Sequence, residues 1–195
     1  LAINGLTKSG NQPMVLDAYD DLILMANAEI YNFKELANEY NIKLTTGSDC
    51  EIIIHLYKKY GMEYTLKLID GVFAFVLLDM QDKNTEKAYV CRDPYGVRPL
   101  FMMTCNNTST DENKYAFASE LKMLNAIKHE DIVNKSIVEP FQPGSYQVFE
   151  KKYNNNNKKY ISICSKKYIE FPKKEIQLEN ADIEIYNRFV EAVKK

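Results

Sequence analysis

Histidine is scarce and cysteine, glycine and long apolar runs are few in this sequence, and each shortage removes a class of chemistry. There are two histidines in 195 residues. His55 sits inside the apolar stretch Ile52 to Tyr60 and His129 in the charged segment Lys128-His129-Glu130-Asp131, so neither has a nucleophile beside it and no Ser-His or Cys-His pairing is written in the chain. No His or Cys pair has metal-ligand spacing and no acidic loop has calcium-binding form, so no metal site is expected. The four cysteines, Cys50, Cys91, Cys105 and Cys164, include no C-x-x-C pair, and a domain this rich in apolar residues needs no disulfide staples; idle, mostly buried thiols are expected. The seven glycines are isolated from one another, which leaves no phosphate-cradling loop and no nucleotide cofactor to assign to this chain. The longest apolar run, Gly71 to Leu78, is far too short to cross a bilayer, and no basic-then-apolar leader opens the sequence. A net charge of −2 with scattered lysines excludes a polyanion surface and hence nucleic acid. The expectation is a soluble, cytoplasmic protein with no membrane association.

What is present is one ordinary domain: 46% apolar and 27% charged residues. Leu22 to Ala26 reads as a strand ending at the polar Asn27, with a helix following from Asn32 that carries Glu35 in its first turn and Phe33, Leu36, Ala37 and Tyr40 on one face. Ser48-Asp49-Cys50-Glu51 fits a capping box opening a second helix that buries Ile52, Ile53, Leu56, Tyr57 and Tyr60 and ends at Gly61. Val72 to Leu78 is apolar without alternation, as a strand covered on both faces must be, and Ala88 to Cys91, Leu100 to Thr104, Tyr115 to Ala118 and Ser145 to Phe149 supply further strands. A short helix is predicted from Glu120 to Leu124 and a polar hairpin tip at Asn154 to Asn157. Strands in succession with helices set apart predict a layered α+β domain. The sequence opens on Leu1-Ala2-Ile3 as though inside an element. It closes on an amphipathic helix with Ile183, Tyr186, Val190 and Val193 at helical spacing and Asp182 as N-cap. Both ends are therefore expected to be internal to a longer protein.

Three ordered segments carry a family resemblance. Asn27-Ala28-Glu29-Ile30-Tyr31-Asn32 resembles N-G-E-I-Y-N, Gly47-Ser48-Asp49-Cys50-Glu51 resembles G-S-D-C-E, and Arg92 to Phe101 resembles R-D-P-x-G-x-[RK]-P-L-[YF], all signatures of class II glutamine amidotransferases of the asparagine synthetase type. Supporting matches are Leu1-Ala2-Ile3 with Gln12-Pro13-Met14, Asp70 to Phe75, Phe117 to Lys122 and Pro143 to Tyr146. The Arg92 to Phe101 segment is shared with amidophosphoribosyltransferases; Glu29 to Asn32, Asp49 to Glu51 and Ala118 to Lys122 favour the asparagine synthetase branch, with β-lactam synthetases as neighbours. The resemblance implies a four-layer αββα sandwich of the N-terminal nucleophile hydrolase type, two antiparallel sheets between helices, here without its first residues. It implies that an N-terminal cysteine ahead of this chain attacks the glutamine side-chain amide, with its own α-amine as base, releasing ammonia through a thioester.

Carried over by position, the resemblance implies that the Asn27 side chain and the Ala28 backbone N–H form an oxyanion hole, and that Leu1, Ile3, Asn27, Glu29 and Asp49 bind glutamine, Asp49 through its α-ammonium. Ala28 departs from the usual glycine: it fits if its φ is negative and is strained if its φ is positive. Arg92, Asp93 and Arg98 are expected to be structural, a turn rigidified by Pro94, Gly96 and Pro99 and tied by ion pairs. Residues 1 to 170 would form the amidotransferase domain, and 171 to 195 a linker with the first helix of a C-terminal synthetase domain, a partner in the same polypeptide that would bind ATP and Mg²⁺. Homodimerisation is left open.

Overall fold

The computed structural model describes residues 8–82, 85–107, 112–126, 136–154, 157–171 and 180–194. Leu1, Ile3 and His129 lie outside the described residues. A short 3-10 turn (Lys8–Gly10) leads into β1 (Met14–Leu16), β2 (Tyr19–Ile30), α1 (Phe33–Glu39), α2 (Glu51–Tyr60), α3 (Met62–Leu68), β3 (Gly71–Asp79) and β4 (Lys87–Arg92). Then follow β5 (Phe101–Asn107), β6 (Glu112–Ala118), α4 (Leu121–Ala126), β7 (Ser136–Pro140), β8 (Ser145–Asn154), β9 (Asn157–Lys167) and α5 (Ala181–Lys194). The strands form two sheets, one in the order β1-β2-β3-β4-β8-β9 and one in the order β6-β5-β7, with every pairing antiparallel.

Three apolar clusters separate four layers. On β3, Phe73, Phe75 and Leu77 point into a cluster with Leu36, Ile52, Ile53, Ile54, Leu56 and Leu66 of α1 to α3. The intervening Ala74, Val76 and Leu78 point the other way, toward Met102, Tyr115 and Phe117 of the smaller sheet and Leu100 and Phe141 that flank it. Strict alternation of facing with no alternation of polarity is what a strand between two apolar layers requires. Beyond the smaller sheet, Met103, Cys105 and Val138 pack on Leu124 of α4. The order helices, large sheet, small sheet, helix is the expected αββα arrangement.

Helix α2 is held by burial: Ile52, Ile53, Ile54 and Leu56 have no exposed surface, each worth roughly 1.5–3 kcal/mol relative to an exposed side chain. Neither predicted N-cap forms in the predicted way. Asn32 makes no side-chain cap; it donates from Nδ2 to the Leu68 carbonyl and accepts the Asp70 N–H at Oδ1, both at 2.9 Å, clamping the end of α3 to the start of β3. Ser48 accepts the Cys50 N–H, while Glu51 turns back to the preceding loop, where Thr45 and Thr46 donate to it from both backbone and hydroxyl. Those four donors satisfy the fully buried carboxylate better than a single N-cap N–H would. Asp182 lies within α5 rather than capping it, the helix being preceded by Asn180 at φ 63°. Sequence periodicity missed β1, α3, β7 and β9, and placed only the first half of β8. Asn154 pairs with Asn157, the hairpin tip between them lying outside the described residues.

Candidate functional site

Strand β2 lies between β3 and the short β1, and its hydrogen-bonding groups alternate between the two. The Tyr31 N–H goes to Asp70 at the β3 side, so the even-numbered residues turn theirs to the β1 side. There β1 pairs no further along β2 than Leu24, and what continues is a row of side-chain partners. Gln12 receives the Ala26 N–H at 2.6 Å and donates to the Ala26 carbonyl at 2.8 Å. Asp49 Oδ2 receives the Ile30 N–H at 2.7 Å. Ala28 lies between these two, so its N–H points out of the same edge, between Gln12 and Asp49. The only positive-φ non-glycine residues among those described are Asn41 and Asn180, so Ala28 has ordinary extended backbone and carries no strain.

The side chains of β2 alternate too. Leu22, Leu24, Ala26, Ala28 and Ile30 face the helices, which puts Asn27 and Glu29 together on the opposite face. No described residue engages the Asn27 amide. Two donors on adjacent residues, one standing off the sheet face and one leaving the sheet edge, are the elements of an oxyanion hole. Gly71 sits opposite Ile30, and a Cβ there would come within 2.1 Å of the Glu29 carbonyl oxygen; glycine lets β2 and β3 meet at this point.

Asp49 is buried at 3% exposure in the loop that enters α2. With Oδ2 on Ile30, Oδ1 has among the described residues only the Cys50 thiol at 4.0 Å, a weak donor, so it keeps acceptor capacity for a cation. The loop is anchored by Glu51: burial would raise its carboxyl, but hydrogen bonds from His55, Thr46 and Thr45 outweigh this and hold it at about 2. His55 is thereby explained, its Nε2 standing 3.2 Å from Glu51 Oε1.

None of the four cysteines is in a disulfide. Burial, reinforced by the Asp49 charge, pushes the Cys50 thiol up to about 12, and burial alone pushes Cys91 well above its ordinary value. Cys105 is also buried, and Cys164 is partly so. Among the described residues no group of three or more His, Cys, Asp or Glu is arranged to hold a metal ion.

The turn that follows β4 differs from expectation in one respect. Arg92 and Asp93 make no ion pairs among the described residues; both bind backbone. Arg92 donates to the carbonyls of Gly96, Arg98 and Phe141, and Asp93 accepts the N–H groups of Phe73, Tyr95, Val97 and Arg98. Arg98 does form an ion pair, and its partner is Glu29 of the candidate site: Nη2 lies 2.9 Å from Oε1. Sequence reading had no signal for this contact, since the two residues are 69 positions apart.

Two antiparallel sheets between helices, with an asparagine and, at an edge where no described strand pairs, the Ala28 amide on the strand next to a buried carboxylate, are consistent with a glutamine amidotransferase domain. The chain belongs to that family: the model of the glutamine amidotransferase domain matches residues 1–177. Among individual proteins, it is 42% identical over 159 residues to the glutamine-hydrolysing asparagine synthetases of Mesocricetus auratus and Homo sapiens, covering 82% of this chain and 26% of each relative. It is 43% identical over 145 residues to that of Bos taurus, covering 74% of this chain and 24% of the relative. The chain thus spans about a quarter of the length of the curated relatives it matches. No helix among the described residues is long and apolar enough to cross a membrane.

Proposed function

We propose that this domain is the glutaminase part of a glutamine-hydrolysing asparagine synthetase, releasing ammonia from glutamine for transfer to ATP-activated aspartate. The observation that carries the reading is the geometry of β2: Asn27 and the Ala28 N–H are adjacent donors beside the buried Asp49 carboxylate. The similarity to asparagine synthetases supports it. In the proposed reaction the nucleophile is an N-terminal cysteine ahead of Leu1, since the chain's own thiols are buried, partly buried or raised beyond use. Its thiolate attacks the side-chain carbonyl carbon of glutamine, and the oxygen that becomes negative is held by Asn27 and the Ala28 N–H. Asp49 receives the substrate's α-ammonium and Glu29 contacts the substrate, with Leu1 and Ile3 alongside. The cysteine's α-amine, having taken the thiol proton, gives it to the amide nitrogen; ammonia leaves, and water releases glutamate from the thioester.

The acceptor chemistry belongs to a synthetase domain of the same polypeptide, which would bind ATP and Mg²⁺ and pack against the apolar side of α5. Ile183, Tyr186, Phe189 and Val193 of that helix are each more than half exposed here. The site of action is proposed to be the cytoplasm. A non-catalytic amidotransferase-like module would find support in a strained Ala28, and the extended backbone at that residue gives it none.

The test is glutamate release from glutamine by the full-length protein, with asparagine formation followed in the presence of aspartate and ATP. Both products are expected, and both are lost when the N-terminal cysteine is replaced by alanine. A folded full-length protein that turns over no glutamine would contradict the reading.

A further inference from the structure

Glu29 is a residue on which the proposed glutamine site depends, and its carboxylate already has a protein partner in Arg98. The turn around Arg98 is built to make that contact. Asp93, only 1% exposed, gathers the N–H groups of Tyr95, Val97 and Arg98 around one carboxylate. Arg92 closes the turn from the other side, its Nε taking the Arg98 carbonyl at 2.9 Å and its Nη2 the Gly96 carbonyl at 2.8 Å. Gly96, at φ +66°, lets the backbone lie so close that a Cβ would come within 2.9 Å of the Arg92 guanidinium carbon. Both backbone groups of Arg98 are therefore fixed, and the side chain is the part left free to reach outward.

The side chain does not adopt the position that satisfies itself best. Its Nε is buried with no partner among the described residues, while Nη2 is held on Glu29. A buried N–H left unpaired costs free energy, so the conformation is set by the contact with Glu29 and not by the arginine's own hydrogen bonding. The pair is partly shielded, 22% and 33% exposed, which makes it stronger than a freely solvated one.

We propose that Arg98 is a positioning residue for glutamine: it fixes the Glu29 carboxylate on the open face of β2 in the orientation that contacts the substrate. The role rests on the glutaminase reading above, and it gives the Arg92 to Pro99 turn a function in substrate affinity.

The test compares Arg98→Met and Arg98→Lys with wild type in the full-length protein, by glutaminase kinetics, by amidation driven with added ammonia in place of glutamine, and by thermal unfolding. Losing one charge-assisted contact raises the KM for glutamine about tenfold or more in Arg98→Met, with kcat changed by less than about threefold. Lysine recovers part of the affinity, and ammonia-driven amidation is unchanged in both. An unaltered glutamine KM overturns the proposal. So does a fall in kcat at constant KM, which would place Arg98 in the chemical step, or an equal loss of ammonia-driven amidation, which would make it a general fold residue. If the wild type releases no glutamate, the glutaminase reading fails separately. Glutamine titration by calorimetry then decides for Arg98: weaker binding by Arg98→Met supports the positioning role, and equal binding overturns it.

Discussion

The Asp49 carboxylate accepts the N–H of Ile30 at 2.7 Å, and this one bond joins the loop entering α2 to the end of the strand that carries Asn27, Ala28 and Glu29. Among the described residues its second oxygen meets only the Cys50 thiol. Asparagine at position 49 can still accept the Ile30 N–H but carries no charge. Asp49→Asn is therefore expected to keep the fold and to raise the KM for glutamine about tenfold or more, the scale of a lost charged hydrogen bond. Asp49→Ala, which strands the buried N–H, is expected to lose about 1–3 kcal/mol of stability as well. Kinetics and thermal melts on both variants separate the two effects; equal KM values for wild type and Asp49→Asn would remove Asp49 from the binding site.

Gly71→Ala tests the close meeting of β2 and β3. With the added Cβ 2.1 Å from the Glu29 carbonyl oxygen, backbone must move. Overpacking of this kind costs about 1–3 kcal/mol, which for a domain of this size lowers Tm by about 2–4 °C per kcal/mol. Because the shift falls on Glu29, whose carboxylate is proposed to bind glutamine, glutamine affinity is expected to drop with it. A variant as stable and as active as wild type would show that the strands tolerate separation there.

The polarity of β3 was legible because burial on both faces erases alternation, and Asn27, Ala28, Glu29 and Asp49 were legible because each lies in a motif whose residues are contiguous. Arg98 was read as purely structural, because its partner Glu29 is distant in sequence and no local pattern encodes a contact across the sandwich. Glu51 was misread for the opposite reason: its local pattern fits a capping box, but tertiary burial gave it the Thr45 and Thr46 donors instead. Strands β7 and β9 are short of apolar residues and largely solvated, so periodicity had little to report.

Glu51 also sets an acid limit on stability. Its folded pKa of about 2 lies below the ordinary 4.5, so its stabilising contribution is complete above about pH 4.5 and disappears as pH falls through about 2. The difference corresponds to about 3 kcal/mol. Denaturant melts of wild type and Glu51→Gln between pH 6 and pH 2 (about four units, chosen to bracket the titration) are expected to converge as pH falls. Curves that stay parallel would show that Glu51 is not the group responsible.

The Asn27 amide and the Ala28 N–H are proposed to stabilise charge on the glutamine oxygen during hydrolysis, and Asn27→Ala in the full-length protein tests this role most directly. Removing one preorganised donor is expected to lower glutaminase kcat by about 10²–10³-fold with little change in KM. Ammonia-driven amidation is expected to be untouched. Glutaminase kcat within about twofold of wild type would contradict the account, since a donor of this kind cannot be lost without cost to the transition state.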